Sequence, residues 1–420
     1  MITPAFSLDF TSAVLDPRIT FARSGATATR VNASGYIETV AADTARFDYN
    51  PVTLACKGLL IEESRTNLSR YSQDLTNPYW NKQNVTITGT VTSPSGTNTG
   101  QTITASAGSA AHDVVTSSAY ISTAAGTYTT SWYVKAGTAN FVTIGVTYTS
   151  VSWAMATFDL SSPTAATKTA SGAGAGVLYV SSSITAGKDG WYRMTFVWTA
   201  SDASIGLPML QINSSSTPTY GSFGVETWNA VGTETIHAWG VQSEQGSFAT
   251  SYIPTTSAAL TRNADVVTVT GANFSDWWQA GLGGATVQAL PSTVSGVRPL
   301  IQFDDGTANE IIALRGNTTN PELYIVDGGT LQAQIDAGTI AANTAYRLTG
   351  WWQTNFCAAR KDNGARVEDL TATIPTVTQA RLGSDGTNYL NGHLASINYY
   401  DQFSGQIYTR RKNKVVFTVI

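Results

Sequence analysis

Short runs of strand-forming residues recur along the whole chain, and they constrain the fold more than any other feature. The runs are rich in Thr, Val, Tyr and Trp and alternate in polarity, as strands with one buried face do. Turn signals such as Asp189-Gly190 and Asp385-Gly386 separate them. The clearest runs cover residues 126–134, 141–148, 191–199, 266–270 and 346–352. Helical periodicity is scarce, so the sequence predicts an all-β protein built from antiparallel sandwiches or barrels.

Charge is scarce and unevenly distributed. Only 12% of the 420 residues are charged, and the formal net charge is −4. A weakly acidic chain offers no general field that would collect a polyanion, so we expect no nucleic acid partner. Residues 83–187 must stay soluble through their hydroxyl groups, because they hold few ions. The charged residues in that stretch are Asp113, Lys135, Asp159 and Lys168.

Membrane and export signals are missing from the sequence. Its apolar runs are shorter than the roughly 18 to 20 residues of a membrane helix, so we expect no membrane insertion. Residues 1–10 lack a basic region followed by an apolar core, which predicts synthesis in the cytoplasm without a signal peptide. One basic group near the end of the sequence is interpreted as a solvated tail segment: Arg410, Arg411, Lys412 and Lys414.

Composition divides the chain into three parts. Residues 1–72 carry ordinary charge, residues 83–187 are nearly free of it, and charge returns after residues 248–265, so the three parts are placed at 1–72, 73–256 and 257–420. Pro254, with its Thr and Ser neighbours, reads as a linker between the second and third parts. The second and third parts are each long enough for one sandwich domain, so we expect two consecutive sandwiches behind a distinct N-terminal segment.

The metal-binding and thiol residues are isolated. Cys56 and Cys357 belong to no paired motif and are treated as free thiols. The three histidines form no zinc pattern, and no glycine loop for phosphate is present. We expect no cofactor. Calcium at residues 304–306 (Asp-Asp-Gly) stays open, although a turn is the better interpretation.

Three phrases carry a resemblance to a known family. Residues 15–68 contain ITFARSGATATRVNASG, ARFDYNPVT and GLLIEESRTNL, and together these resemble the N-terminal signature of spike and fibre proteins of tailed phages and gene transfer agents. Residues 237–265 resemble the end of a jelly roll of the carbohydrate-binding-module type. Residues 380–404 are similar to the late strands of concanavalin A-like lectin domains. The resemblance therefore implies two jelly-roll sandwiches, the second concanavalin A-like, behind an extended N-terminal attachment segment.

The family resemblance also suggests which residues do what. Residues 1–72 would dock to a capsid or tail protein, although a structural brace on the jelly roll is the alternative. The attachment candidates are Arg18, Arg23, Arg46, Asp48 and Arg65. Lectin-like domains stack aromatic rings on sugars and bond hydroxyls with short polar side chains, while core packing and turn geometry are the competing interpretations. The sugar-binding candidates are Asp385, Asn388, Tyr389, Asn391, His393, Trp351, Trp352, Trp277 and Trp80.

These observations lead to a functional hypothesis. We expect a virion-surface spike or fibre subunit that adheres to host surface polysaccharide without catalysis. The alternatives are a purely structural head or tail decoration protein and a polysaccharide depolymerase, for which no alternating acidic triplet is found. Because single sugar contacts are weak, several copies on one particle gain by effective concentration, and we expect a homo-oligomer. A trimer is favoured, with a pentamer as the alternative.

Overall fold

The protein is almost entirely β-structure. The computed structural model describes residues 3–25, 28–117 and 119–402, together with the backbone of residues 409–411 and 414–416. The side chains of the basic tail group, and Phe403 and Ser404 of the third resemblance phrase, lie outside the described residues. Helix in the described residues is limited to α1 (Ala272–Ser275) and to 3-10 turns at Phe10–Ser12, Lys188–Gly190 and Ser222–Gly224. The all-β prediction is confirmed.

Seven strands lie in the N-terminal part, which precedes the first sandwich. They are β1 (Phe6–Asp9), β2 (Thr20–Ala22), β3 (Ala28–Val31), β4 (Ile37–Val40), β5 (Phe47–Tyr49), β6 (Cys56–Ile61) and β7 (Arg65–Asn67).

The first sandwich is built from the next fourteen strands. They are β8 (Trp80–Gln83), β9 (Val85–Val91), β10 (Gly100–Ala105), β11 (Gly108–Ala110), β12 (Asp113–Thr116), β13 (Gly126–Ala136), β14 (Phe141–Thr147), β15 (Trp153–Asp159), β16 (Ala166–Ser171), β17 (Val177–Ala186), β18 (Tyr192–Ala200), β19 (Leu207–Ile212), β20 (Trp228–Ala230) and β21 (Thr235–Gln245).

Two six-stranded antiparallel sheets face each other in this sandwich. Their strand orders are β17-β18-β13-β21-β10-β9 and β16-β15-β14-β19-β12-β8, and β11 pairs with β20 beside them. Trp132 and Phe196 from one sheet meet Ile144 and Phe158 from the other in a shared core. These side chains alternate with outward-facing residues, so the period of two read from the sequence is what builds the core.

The remaining strands belong mainly to the second sandwich. They are β22 (Leu260–Arg262), β23 (Val266–Thr270), β24 (Leu282–Pro291), β25 (Val297–Asp304), β26 (Ile311–Asn317), β27 (Asn320–Asp327), β28 (Thr330–Asp336), β29 (Tyr346–Gln353), β30 (Phe356–Lys361), β31 (Val367–Asp369), β32 (Gln379–Leu382), β33 (Gly392–Tyr400), and the pair β34 (Thr409–Arg411) and β35 (Lys414–Val416).

The second sandwich takes strands from both ends of the sequence. One sheet has the order β31-β30-β29-β24-β33-β6-β5, with β1 also paired to β33, and the other has the order β2-β23-β32-β25-β26-β27-β28. Phe6 lies opposite Tyr399 and Leu59 opposite Leu394. Residues 1–72, treated above as an attachment segment, therefore supply strands to both sheets, because their apolar side chains complete this core.

One glycine is required where β6 meets β33. Gly58 has φ +107°, and a Cβ atom there would lie 2.1 Å from the carbonyl oxygen of Leu394. Any other residue would push the two strands apart, because carbon and oxygen cannot approach so closely. Gly58 thus allows the close pairing of β6 with β33, by which the N-terminal part joins the second sandwich.

Candidate functional site

Two chain segments cross between the sandwiches and hold them together. They are residues 62–72 and 246–265, and within them β7 pairs with β22. The buried amide of Asn67 donates to the carbonyls of Val241 and Ile253, at 3.1 and 2.8 Å, and accepts from the backbone of Ser69 and Ser243. Because a buried amide with all its bonds made favours one geometry, Asn67 fixes the two crossing segments against β21 of the first sandwich.

A buried ionic network, the junction network, lies beside this crossing. It consists of three arginines and two carboxylates, all at most 5% exposed: Arg23, Arg46, Arg262, Glu62 and Asp265. Asp265 bonds Arg23 at 3.2 Å and Arg46 at 2.5 Å, and Glu62 bonds Arg46 at 2.8 Å and contacts Arg262. Three cations against two anions leave one excess positive charge in the interior.

The electrostatics of the network follow from burial and pairing. Burial alone would raise the pKa of Glu62, but Arg262 and Arg46, with hydrogen bonds from Ser251, hold that pKa well below its ordinary value. Burial opposes the charge of Arg46 as well, and Asp265 with Glu62 raises its pKa above the usual range. The charged forms are therefore mutually dependent, since each would be costly to bury alone.

A cleft of ≈ 670 Å³ opens next to the network, between the two sandwiches. Its walls come from the β3–β4 hairpin, the turn between β5 and β6, the end of β17 and the 249–252 segment. Glu62 and Ser251 connect the network to the cleft wall. A concave site of this size at a domain junction, with apolar and polar walls, is typical of small-ligand sites.

Asp48, His393 and Lys57 form one side of the cleft. Oδ2 of Asp48 lies 2.9 Å from Nε2 of His393 and also contacts Nζ of Lys57, while Oδ1 accepts from the backbone of Val31 at 2.7 Å. Burial would raise the pKa of Asp48, but Lys57 and His393 lower it to about 2. Burial and Lys57 lower the pKa of His393, which favours the neutral imidazole. Nδ1 of His393 has no hydrogen-bond partner in the described part of the protein.

The opposite side of the cleft carries two further cations. Arg193 donates to the carbonyl of Thr250 at 2.8 Å and to Oγ of Ser131 at 3.0 Å, and its guanidinium lies 5.5 Å from the ring centre of Tyr133. Lys188 lies 5.9 Å from the ring centre of Tyr36. Both side chains are half-buried.

The predicted sugar-binding residues between positions 385 and 393 have different roles in the structure. Asp385 accepts from the backbone of Thr387 and Asn388 at 2.8 and 2.7 Å and from the amide of Asn388 at 2.8 Å, which is the geometry of a tight turn. Asn391 exchanges two hydrogen bonds with Glu63, both 2.9 Å. Of these five candidates, only His393 lines the cleft. Tyr389 is partly buried and packs against the hydrophobic core of the second sandwich.

The four predicted tryptophans differ in their environments. Trp80 and Trp352 are 0% exposed and Trp277 is 8% exposed, so the structure gives these three rings no surface for a sugar. Trp277 stacks on Phe6 at 4.3 Å between ring centres. Trp351 alone is half-buried, with Arg360 5.7 Å from its ring centre. Alternation along β29 separates Trp351 from Trp352, as the sequence predicts.

The attachment candidates are also mostly internal. Arg23 and Arg46 belong to the junction network and Asp48 to the cleft, so burial corrects the expectation that these three face a virion partner. Arg65 bonds Glu63 at 2.5 Å, contacts the carbonyl of Gln245 and lies over the ring of Phe248. Arg18 is the most exposed of the five, paired to Asp16 at 2.7 Å. The contacts of Arg23, Arg46, Asp48 and Arg65 fit the structural brace that was the alternative for this segment.

The calcium candidate is a hydrogen-bond acceptor in the structure. Asp304 is 1% exposed and accepts from Gly306, Gln379, Gln302 and Arg381 at 2.6 to 3.0 Å. No cluster of three or more His, Cys, Asp or Glu side chains suited to a metal ion occurs in the described ranges. The same residues contain no helix long and apolar enough to cross a membrane.

The sequence brought forward some cleft residues and missed others. Asp48 and His393, chosen above for two different reasons, meet across 345 positions of sequence. Lys57, Lys188 and Arg193 were missed, because single cations on strands and turns resemble ordinary solvated residues. No local signal distinguishes them: Lys188 lies just after the nearly chargeless residues 83–187 and is followed directly by Asp189.

Comparison with known proteins gives little beyond this geometry. No protein-family model and no curated protein matches the chain. Among solved structures it is similar to domains LG4-5 of the mouse laminin alpha1 chain, with 9% identity and a TM-score of 0.22 over 66% of this chain and 83% of that one. Similarity at this level carries no functional inference. The fold rests on the strand pairings above, and the resemblance to phage spikes stays a prediction.

Proposed function

We propose that this chain is a non-catalytic carbohydrate-binding protein, and that the cleft between the sandwiches is its binding site. The observation that carries the proposal is the composition of that cleft: charged and amide groups lie beside apolar side chains such as Val31 and Val52 around ≈ 670 Å³. Sugars require this mixture, because their hydroxyls need polar partners and their CH faces need apolar contact.

The state of the two cleft carboxylates supports binding rather than hydrolysis. A glycosidase needs one protonated carboxyl as general acid and a second as base or nucleophile. Asp48 and Glu62 are both tied to cations, which lower the pKa of each carboxyl and keep it ionised. Neither is suited to donate a proton, so we infer adhesion without cleavage.

In the biological setting that we propose, the chain is a spike or fibre subunit on a virion surface, in contact with capsid or tail proteins. The support is the family resemblance of residues 15–68, 237–265 and 380–404. The first sandwich carries few charged residues, which suits packing against further copies, because few charges would need desolvation. A homo-oligomer, as a trimer or a pentamer, would multiply weak sugar contacts.

A purely structural decoration protein is the second candidate. The observation that favours it is the burial of three of the four predicted tryptophans, together with the attachment residues Arg23, Arg46 and Asp48. Such a protein would retain no glycan at any display density.

Retention of the oligomer on a glycan array and on intact host polysaccharides, together with assay of released reducing ends, tests the proposal. We expect retention without release. Val52 lines the cleft and is 58% exposed, so Val52→Trp should obstruct the site and lower retention about tenfold. Val14→Trp, at a Val that is 67% exposed and does not line the cleft, is the matched control for a new surface ring.

Other outcomes distinguish the alternatives. Loss of retention in Trp351→Ala with no effect of Val52→Trp would move the site to the outer face of β29. Release of reducing ends would identify a depolymerase. No retention of any glycan would leave the structural candidate.

A further inference from the structure

Positive charge concentrates in the cleft although the chain as a whole is acidic. The net charge is −4, yet four cationic side chains line the cleft against two carboxylates. The four are Arg30, Lys57, Lys188 and Arg193. Low-dielectric walls strengthen the field of such a group relative to one on an open surface.

The two cleft carboxylates are already neutralised by partners. Glu62 contacts Arg46 and Arg262 behind the wall, and Asp48 contacts Lys57. Arg30 pairs with Glu38 at 2.7 Å. The junction network adds one further uncompensated positive charge behind Glu62. The carboxylates therefore do not cancel the remaining cations.

Lys188 and Arg193 are the cations left without an acidic partner. Neither forms an ion pair with a carboxylate within the described ranges, and their polar and aromatic contacts are to neutral groups. Two half-buried cations without counter-charge are costly unless an anion completes the site.

We propose that the cleft selects acidic glycans, and that Lys188 and Arg193 bind a sugar carboxylate. This inference rests on the proposed function, because it specifies the ligand class of the same site. Arg193 supplies a planar donor group suited to a carboxylate, and Lys188 supplies a point charge that adapts to its position. Cleft walls that also carry Asn50 and Thr53 fit a sugar acid better than a simple inorganic anion.

The decisive comparison uses one polymer in two forms. A uronic acid polysaccharide and its carboxyl-reduced product share their linkages and ring hydroxyls, and they differ in that each carboxylate is replaced by a neutral hydroxymethyl group. We expect the intact protein to retain the acidic form at least about tenfold more strongly than the reduced form at low salt. The preference should shrink as salt is raised, because screening weakens partly exposed charges.

Substitution tests the residues themselves. Lys188→Gln should remove most of the preference for the acidic form and leave binding of the reduced form unchanged. Lys361→Gln, at a half-buried cation of β30 outside the cleft, is the matched control and should change neither. Because Arg193 also bonds Thr250 and Ser131, Arg193→Gln is interpreted only with thermal unfolding that matches the parent protein.

Each contrary result has a distinct meaning. Equal retention of both forms would overturn the acidic selectivity and leave the proposed function intact. Retention of a phosphodiester polymer, with no retention of the uronic acid polymer, would overturn the carboxylate assignment. If neither these polymers nor neutral glycans are retained, the proposed function fails with the inference.

Discussion

Buried carboxyl groups have cationic partners in one region of the molecule and no hydrogen-bond partner in another. At the junction, Arg23, Arg46, Arg262, Glu62 and Asp265 are buried together and contact one another. In the first sandwich Asp113 is 1% exposed, and neither of its carboxylate oxygens has a hydrogen-bond partner among the described residues. Burial raises the pKa of Asp113 to about 7.

The difference shows that partners, rather than burial itself, decide the ionisation of a carboxyl group. Cations hold the pKa of Glu62 and of Asp48 below the ordinary values, whereas isolation moves the pKa of Asp113 upward. Acid should therefore weaken the junction, and alkali should weaken the first sandwich.

The largest expected effect is the removal of one charge from the junction network. Asp265→Asn leaves Arg23 without its carboxylate and Arg46 with only Glu62, so we expect a loss of roughly 3 to 5 kcal/mol in the free energy of unfolding. Urea denaturation at pH 7 measures this loss. A loss below about 1 kcal/mol would mean that the network contributes geometry rather than stability.

Asp113→Asn should raise the free energy of unfolding at alkaline pH, whereas Asp265→Asn lowers it. With a folded-state pKa of about 7 against 3.8, the contribution of Asp113 is full below pH 4 and is lost as pH rises through 7. We expect the variant to match the parent at about pH 3.5 and to exceed it in unfolding free energy by roughly 2 to 4 kcal/mol at pH 8.5. Unfolding free energies at both pH values test this, and a variant weaker than the parent at pH 8.5 would contradict it.

Acidification should remove the contribution of the Asp48 carboxylate to the free energy of unfolding. Its folded-state pKa is about 2 against 3.8, so its stabilising contribution is present above pH 4 and is lost as pH falls through 2. The expected loss is roughly 2 kcal/mol. The difference in unfolding free energy between the parent and Asp48→Asn should narrow as pH falls from 5 to 2. A constant difference over that interval would show that the Asp48 carboxylate gains nothing from Lys57.

The smallest effect is expected where the pair is exposed. Asp362 contacts Lys361 at 3.1 Å, and its side chain is 47% exposed. Asp362→Asn keeps the hydrogen-bond acceptor for the backbone of Arg347 and should change the unfolding free energy by less than about 0.5 kcal/mol. A loss comparable to that of Asp265→Asn, measured in the same urea series, would remove the distinction between buried and exposed pairs.

Much of the fold followed from local pattern. The alternation in residues 126–134 and 346–352 predicted strands with one buried face, and β13 and β29 cover those segments. Alternation also predicted that Trp351 and Trp352 lie on opposite faces, and only Trp352 is fully buried. The Asp385 turn was a stated alternative for its loop. Each of these features depends on neighbours within a few residues.

The cleft depended on contacts that no local pattern contains. Asp48 meets His393, Glu62 meets Arg262, and Arg23 meets Asp265, across 345, 200 and 242 positions of sequence. The charged residues of the N-terminal segment looked like a surface for a partner, because charged residues are usually exposed. Ion pairs across the junction offset the desolvation cost of burying these charged side chains.

The sequence by itself determined the secondary structure, the two-sandwich plan and the scarcity of charge, because strand periodicity and turn chemistry act over short distances. Only the tertiary structure decided that β1, β2, β5 and β6 complete the second sandwich and that cations distant in sequence lie around one cleft. Strand pairing and charge pairing between distant segments depend on which surfaces meet in space. That convergence is what gives the cleft its charge.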